Sequence, residues 1–110
     1  MDDKIFSLWR YRTRNGRVPV SEWIEALDAA SAARILVYLE RLRFGRAGGL
    51  RSVGRGVWEL KIDVGPGYRV YFSQVGKRLL LLLCGGDKGS QRRDVRLAKR
   101  YREDYLERMT

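Results

Sequence analysis

The 110-residue sequence has no histidine, one cysteine, two prolines and no long apolar run. Each shortage removes a class of chemistry. Without histidine there is no side chain that ordinarily titrates near neutrality and no imidazole for zinc, so acid–base work falls to Glu, Asp, Lys, Arg or Tyr. A lone cysteine, Cys84, forms no internal disulfide and no cysteine metal site. The longest apolar run covers residues 79–84, far short of the ~18–20 residues a membrane-spanning helix needs. The opening Met1-Asp2-Asp3-Lys4 is acidic with no apolar stretch behind it, so no secretory signal is expected and the expected compartment is the cytoplasm. No repeat or low-complexity linker divides the chain, and a single domain over residues 1–110 is expected.

Positive charge is what the chain has in excess. With 23 Lys and Arg against 13 Asp and Glu, the formal net charge is +10. Self-repulsion at that density on a small body favours a polyanionic partner: RNA, DNA or an acidic protein. Apolar residues, at 45% of the chain, suffice for one core.

The periodicities predict an α+β chain in the order β-α-α-β-β-β-α, an antiparallel meander packed by a helical hairpin and a C-terminal helix. Residues 4–11 read as an aromatic-rich strand, followed by a turn-rich basic connection over 12–20. Residues 21–27 read as a short helix with Ser21 at its N-cap. Over 31–44, Ile35, Leu39 and Leu42 recur at helical spacing, with Arg41 and Arg43 where cations suit the helix dipole. Residues 57–63 and 68–75 alternate as strands, joined by the turn Val64-Gly65-Pro66-Gly67. The run 78–84 lacks polar alternation, as expected of a central strand covered on both faces. Residues 90–109 form a basic amphipathic helix with Val95, Ala98, Tyr101 and Tyr105 on its inner stripe.

The alternation has a chemical consequence. If Trp58, Leu60 and Ile62 face helices, Glu59, Lys61 and Asp63 face away, and the returning strand sets Arg69 and Tyr71 beside Glu59 and Lys61. A carboxylate, an ammonium, a guanidinium and a phenol then share one face, the same look that an ordinary solvated sheet surface has. The next strand leads through Gly85-Gly86 to Asp87 and Lys88. The stretch Gly-Gly-Asp-Lys-Gly-Ser lacks the glycine spacing and the Gly-Lys-Ser/Thr ending of a nucleotide-triphosphate loop. Its milder use remains: glycines and a helix N-terminus let backbone N–H groups approach a phosphate. Cys84 reads as a small core residue, and Asp94 as favoured by the dipole at the start of the last helix.

The blocks Gly-Val-Trp-Glu-Leu-Lys-Ile-Asp-Val-Gly-Pro-Gly-Tyr-Arg-Val-Tyr-Phe (56–72) and Leu-Leu-Leu-Cys-Gly-Gly-Asp-Lys-Gly-Ser-Gln-Arg-Arg-Asp (81–94) resemble the addiction-module killer proteins, the HigB-like branch of the RelE/ParE toxin superfamily. Residues 19–28 and 32–45 fit the same pattern, so the resemblance spans nearly the whole chain. It implies a RelE-like fold and a type II toxin that cuts mRNA on the ribosome. It also implies neutralisation by a cognate antitoxin, a HigA-like helix-turn-helix protein. No cofactor, metal or membrane partner is implied. Carried over, Lys61 matches a strand lysine, Arg69 the arginine after Gly-Tyr, and Lys88 a basic position in the loop before the last helix. Glu59 stands where the ribonucleases have a second strand lysine, and Asp94 where they have tyrosine or histidine.

Cleavage of RNA by its own 2′-hydroxyl needs a base at O2′, neutralisation of the phosphorane and an acid at O5′. Arg69 is expected to clamp the phosphate, since a guanidinium donates two parallel hydrogen bonds and stays charged. Lys88 is expected to assist from the loop, and Glu59 to act as base with Lys61 its rival. Arg51, Arg55, Tyr71, Gln91 and Arg92 are the expected RNA contacts, Tyr71 by stacking a base or donating to a phosphate. Two other readings stay open: a ParE-like poison of DNA gyrase, and a decayed toxin that only binds its antitoxin and co-represses the operon.

Overall fold

In the computed structural model, which describes residues 5–110, the elements run β1 (Ser7–Arg10), α1 (Pro19–Glu25), α2 (Ala29–Arg43), β2 (Leu50–Gly54), β3 (Val57–Ile62), β4 (Tyr68–Val75), β5 (Leu79–Asp87) and α3 (Gln91–Arg108), with a 3-10 turn at Lys88–Ser90 before α3. Lys4, expected in the first strand, and Met1-Asp2-Asp3 lie outside the described residues. The sheet order is β1-β5-β4-β3-β2. Strands β2 to β5 form the expected antiparallel meander, but β1 pairs with β5 in parallel, so the sheet is mixed. Joining two parallel strands needs a long crossover rather than a hairpin, and here the whole α1 to β4 stretch intervenes.

Local chemistry sets the boundaries. Helix α1 begins at Pro19 rather than after Ser21, because proline's fixed φ and missing N–H suit the first helical position. The Ser21 hydroxyl instead accepts from Arg10 Nη1 at 2.8 Å. Helix α2 starts where the Asp28 carboxylate accepts the Ser31 N–H at 3.1 Å, a side-chain N-cap. Strand β2 is the element that the periodicities omit. It is an edge strand exposed along nearly its whole length, so it has no buried face to impose a two-residue period.

Both faces of the sheet are covered. Under α1 and α2 lie Leu60, Ile62, Val70, Phe72, Leu80 and Leu82 with Val20, Ile24, Ile35, Leu39 and Leu42. Under α3 lie Val57, Tyr71, Leu81, Leu83 and Cys84 with Ala98, flanked by Val95, Tyr101 and Tyr105 as the helical stripe predicts. Trp58, expected in the core, is 40% exposed. It lines an open apolar pocket of about 220 Å³ with Phe6, Leu42, Leu50 and Phe72.

Strand β5 continues through Gly85 and Gly86, which are ladder residues and not a loop. Their side-chain absence admits neighbours on opposite faces. A Cβ on Gly85 would fall 2.3 Å from the Trp23 ring, and one on Gly86 would fall 1.9 Å from an Asp94 carboxylate oxygen. Neither glycine has a positive φ, so close approach rather than backbone freedom is what these positions require. The polar start of α3 therefore sits directly on the sheet.

Candidate nucleic-acid interface

Two cross-strand rows build the site on the α3 face. One runs Arg51, Glu59, Tyr71, Cys84 across β2, β3, β4 and β5, and the next runs Lys61, Arg69, Gly86 across β3, β4 and β5. Directly paired residues project to the same side, with side-chain bases about 5 Å apart. Lys61 and Arg69 are thus neighbours. Lys88 follows Asp87, whose ladder partner Tyr68 precedes Arg69.

The expected solvated face is buried at its centre. Glu59 is 3% exposed and Arg69 8%, because α3 crosses above them. Glu59 Oε2 accepts from the Tyr71 hydroxyl at 3.1 Å and from Gln91 Nε2 at 2.9 Å. The same oxygen lies 3.6 Å from Arg69 Nε, and Oε1 lies 3.3 Å from Arg51 Nη2. Arg69 Nη1 donates to the Gly67 carbonyl at 3.0 Å. Its Nε is too far from Glu59 for a hydrogen bond, and among the described residues it is the buried side-chain polar atom left without a partner. Such an atom calls for an explanation, because buried donors are almost always satisfied.

Tyr71 is wholly buried, so it does not stack a base as expected; its hydroxyl serves Glu59. Burial, followed by the neighbouring Glu59 charge, pushes its pKa well above the ordinary phenol value. Burial likewise pushes the Cys84 thiol up to about 12, as suits a core residue rather than a nucleophile. Asp94 does more than favour the helix dipole. It is 3% exposed, accepts a hydrogen bond from the Ser90 hydroxyl and lies against Gly86. The Asp87 carboxylate accepts the Gly89 and Ser90 N–H groups at 2.8 and 3.2 Å, fixing the turn that carries exposed Lys88. Lys61 is exposed, with Nζ 3.6 Å from Asp63 Oδ1.

Beside this cluster runs an open groove of about 700 Å³ between β2 and the first half of α3, lined by Arg51, Ser52, Val53, Gln91, Arg92, Val95 and Arg96. Three of the expected RNA contacts, Arg51, Gln91 and Arg92, meet in it. Arg55 does not line it: it pairs with Glu103 at 3.1 Å, beyond the end of β2. Arg96 was missed by the sequence reading, although its spacing of four from Arg92 sets both on one helix face. The groove offers three guanidiniums to a phosphate chain, and Arg51 and Gln91 tie its floor to Glu59.

Comparison with known proteins covers this whole assembly. The sequence profile of the family described as phage derived protein Gp49-like (DUF891) matches residues 22–104. An uncharacterised protein of Haemophilus influenzae is 45% identical over 78 residues, which is 70% of this chain and 79% of the relative.

Proposed function

Because the chain belongs to the Gp49-like family, a toxin family of the RelE/Gp49 type whose members are held by an antitoxin, we propose that it is a HigB-like endoribonuclease. It cuts mRNA on the ribosome in the cytoplasm, and a HigA-like helix-turn-helix antitoxin restrains it. The observation that carries this reading is Arg69, a buried guanidinium with an unpartnered Nε beside a groove lined by three arginines.

The mechanism follows from the chemistry. O2′ attacks phosphorus, the P–O5′ bond breaks, and a 2′,3′-cyclic phosphate and a 5′-hydroxyl result. Arg69 holds the nonbridging oxygens as they gain charge, the step at which a fixed donor counts most. Lys61, exposed and opposite Arg69 in register, takes the O2′ proton as the neutral amine and becomes the ammonium. This assignment passes over Glu59, whose oxygens already face Tyr71, Gln91 and two arginines below the surface. Lys88, exposed on the turn, gives a proton to O5′. Arg51, Arg92 and Arg96 steer the strand, with Gln91 at the groove floor.

Induction of the chain alone in cells tests the reading. Translation arrest with codon-phased mRNA ends is expected, and Arg69→Ala is expected to lower cleavage by about 10²-fold or more. Altered plasmid supercoiling, with toxicity surviving Lys61→Ala and Arg69→Ala, would overturn it in favour of a gyrase poison. Undisturbed growth would leave only a binder of its antitoxin.

A further inference from the structure

Glu59 is a carboxylate buried beside the groove that has to accept a polyanion, and the mechanism above gives it no proton to move. Its contacts come in two kinds. Tyr71 and Gln91 hydrogen-bond it at 3.1 and 2.9 Å. The two arginines stand further off, Arg51 Nη2 at 3.3 Å and Arg69 Nε at 3.6 Å. Strong charge-assisted pairs close to about 2.7–2.9 Å. The arginine contacts are therefore loose ones, and Arg69 Nε has no hydrogen bond at all.

We propose that Glu59 is a resident anion of the RNA site. In the free protein it holds Arg51 and Arg69 in the orientation a phosphate requires. When a strand binds, one of its phosphates takes over both arginines at shorter range, while Glu59 keeps Tyr71 and Gln91. The RNA identity of the strand rests on the nuclease reading; the exchange of anions rests on the geometry alone. The consequence is selectivity. A small anion has to displace Glu59 with nothing else to hold it, whereas a polynucleotide also engages Arg92 and Arg96 along the groove. Glu59 thus acts through Arg51 and Arg69 as a positioning residue that keeps the site clear of free phosphate.

The test is equilibrium binding of an RNA oligonucleotide made uncleavable by 2′-deoxy substitution, measured by fluorescence anisotropy against salt concentration. Glu59→Gln keeps the shape and removes the charge. It is expected to bind about tenfold more tightly at low salt, with the log K against log salt slope steeper by about 0.7, one further phosphate contact on a single strand. With cleavable RNA, KM and kcat are expected to fall together, because Arg69 loses its guide. Glu59→Asp is expected to restore the wild-type slope. Inorganic phosphate is expected to raise the melting temperature of Glu59→Gln and not of the wild type.

A folded Glu59→Gln with wild-type slope and affinity overturns the proposal. Should that variant not fold, arginine-¹⁵Nε NMR of the wild-type chain decides. Added RNA is expected to move the Arg69 Nε–H resonance; a static Arg69 signal overturns the exchange. A chain that shows the slope change but cuts no RNA keeps the resident anion and loses the nuclease. One that cuts RNA with an unchanged slope does the reverse.

Discussion

Beneath α1 and α2 the sheet buries Leu60, Ile62, Val70, Phe72, Leu80 and Leu82 without a charged side chain among them. Beneath α3 the same three strands bury Glu59, Arg69 and Ser73 beside Tyr71 and Cys84, and Asp94 of α3 is buried against them. Apolar burial is favourable at about 25 cal/mol per Å², whereas each buried charge loses hydration that its partners restore only when geometry is good. On the α3 face the geometry is incomplete, since Arg69 Nε is unsatisfied. One face thus supplies the stability that allows the other to hold charge below the surface, at a groove that faces solvent.

The difference is broken most severely on the apolar side. Leu60 is wholly buried in the row Leu50, Leu60, Val70, Gly85. Leu60→Ala is expected to cost about 3 kcal/mol, the transfer loss plus a cavity, with cleavage per folded molecule unchanged. Urea unfolding followed by tryptophan fluorescence, beside a cleavage assay normalised to folded protein, checks both halves. A variant that stays stable but loses activity would show that the two faces do not divide the work.

The glycine pair sharpens the comparison because adjacent residues test opposite faces. Gly85→Ala presses on the Trp23 ring and Gly86→Ala on Asp94 and Ser90. Each is expected to destabilise by about 2 kcal/mol, within the range for overpacking, as a lowered denaturation midpoint. Only Gly86→Ala is expected to depress RNA cleavage, by about tenfold, because Ser90 and Asp94 open the helix that carries Gln91 and Arg92. Equal activity in both variants would break the link between the turn and the site.

A smaller effect isolates the hydroxyl beneath Glu59. Tyr71→Phe leaves the ring in the core and removes one of the two hydrogen bonds that Glu59 accepts. About 1 kcal/mol of stability is expected to be lost. Because the Tyr71 pKa is driven above its ordinary value by burial and by Glu59, that loss is expected to be flat between about pH 6 and 9. Unfolding curves across that range check it.

Much of this was legible in the sequence because period and register are local. The alternation of 57–63 and 68–75 puts Glu59, Lys61, Arg69 and Tyr71 on one face, and the helical stripe gives Val95, Ala98, Tyr101 and Tyr105. Burial of Glu59 was not legible, since a Glu-Lys alternation reads the same whether or not a helix lies above it. Strand β2 escaped because an exposed edge has no apolar period, and with it went the groove wall that Arg51 supplies. The parallel pairing of β1 with β5 joins residues more than seventy positions apart, as in Ser7 with Leu79, which no local pattern encodes. Gly85 and Gly86 look like a strand exit in sequence; only Trp23, remote in the chain, and Asp94, in the first turn of α3, explain them as ladder residues.

The smallest expected effect lies on the α3 face too, at the far end of the helix, where charge serves the fold and not the groove. The Tyr11 hydroxyl donates to Asp104, which also takes Arg14 Nε at 2.7 Å and Arg108 Nη2 at 2.8 Å. Burial first, and then the bond to Asp104, push the Tyr11 pKa up to about 12. The bond from Tyr11 first, and then Arg14, hold Asp104 below the usual carboxylate range. The raised phenol contributes stability that is complete below its unfolded value of about 10 and is lost as pH climbs towards 12. The lowered carboxylate contributes stability present above its unfolded value of about 3.9 and lost as pH falls through the folded one. Tyr11→Phe is therefore expected to trail the wild type by about 0.5 kcal/mol on the plateau between these limits and to converge with it as pH rises from 10 towards 12. RNA affinity of the variant is expected to match that of the wild type between about pH 6 and 9, because Tyr11 and Asp104 do not line the groove. An affinity lowered by Tyr11→Phe in that range would mean that α3 transmits strain along its whole length, and the charged end and the cationic groove would have to be treated as one region.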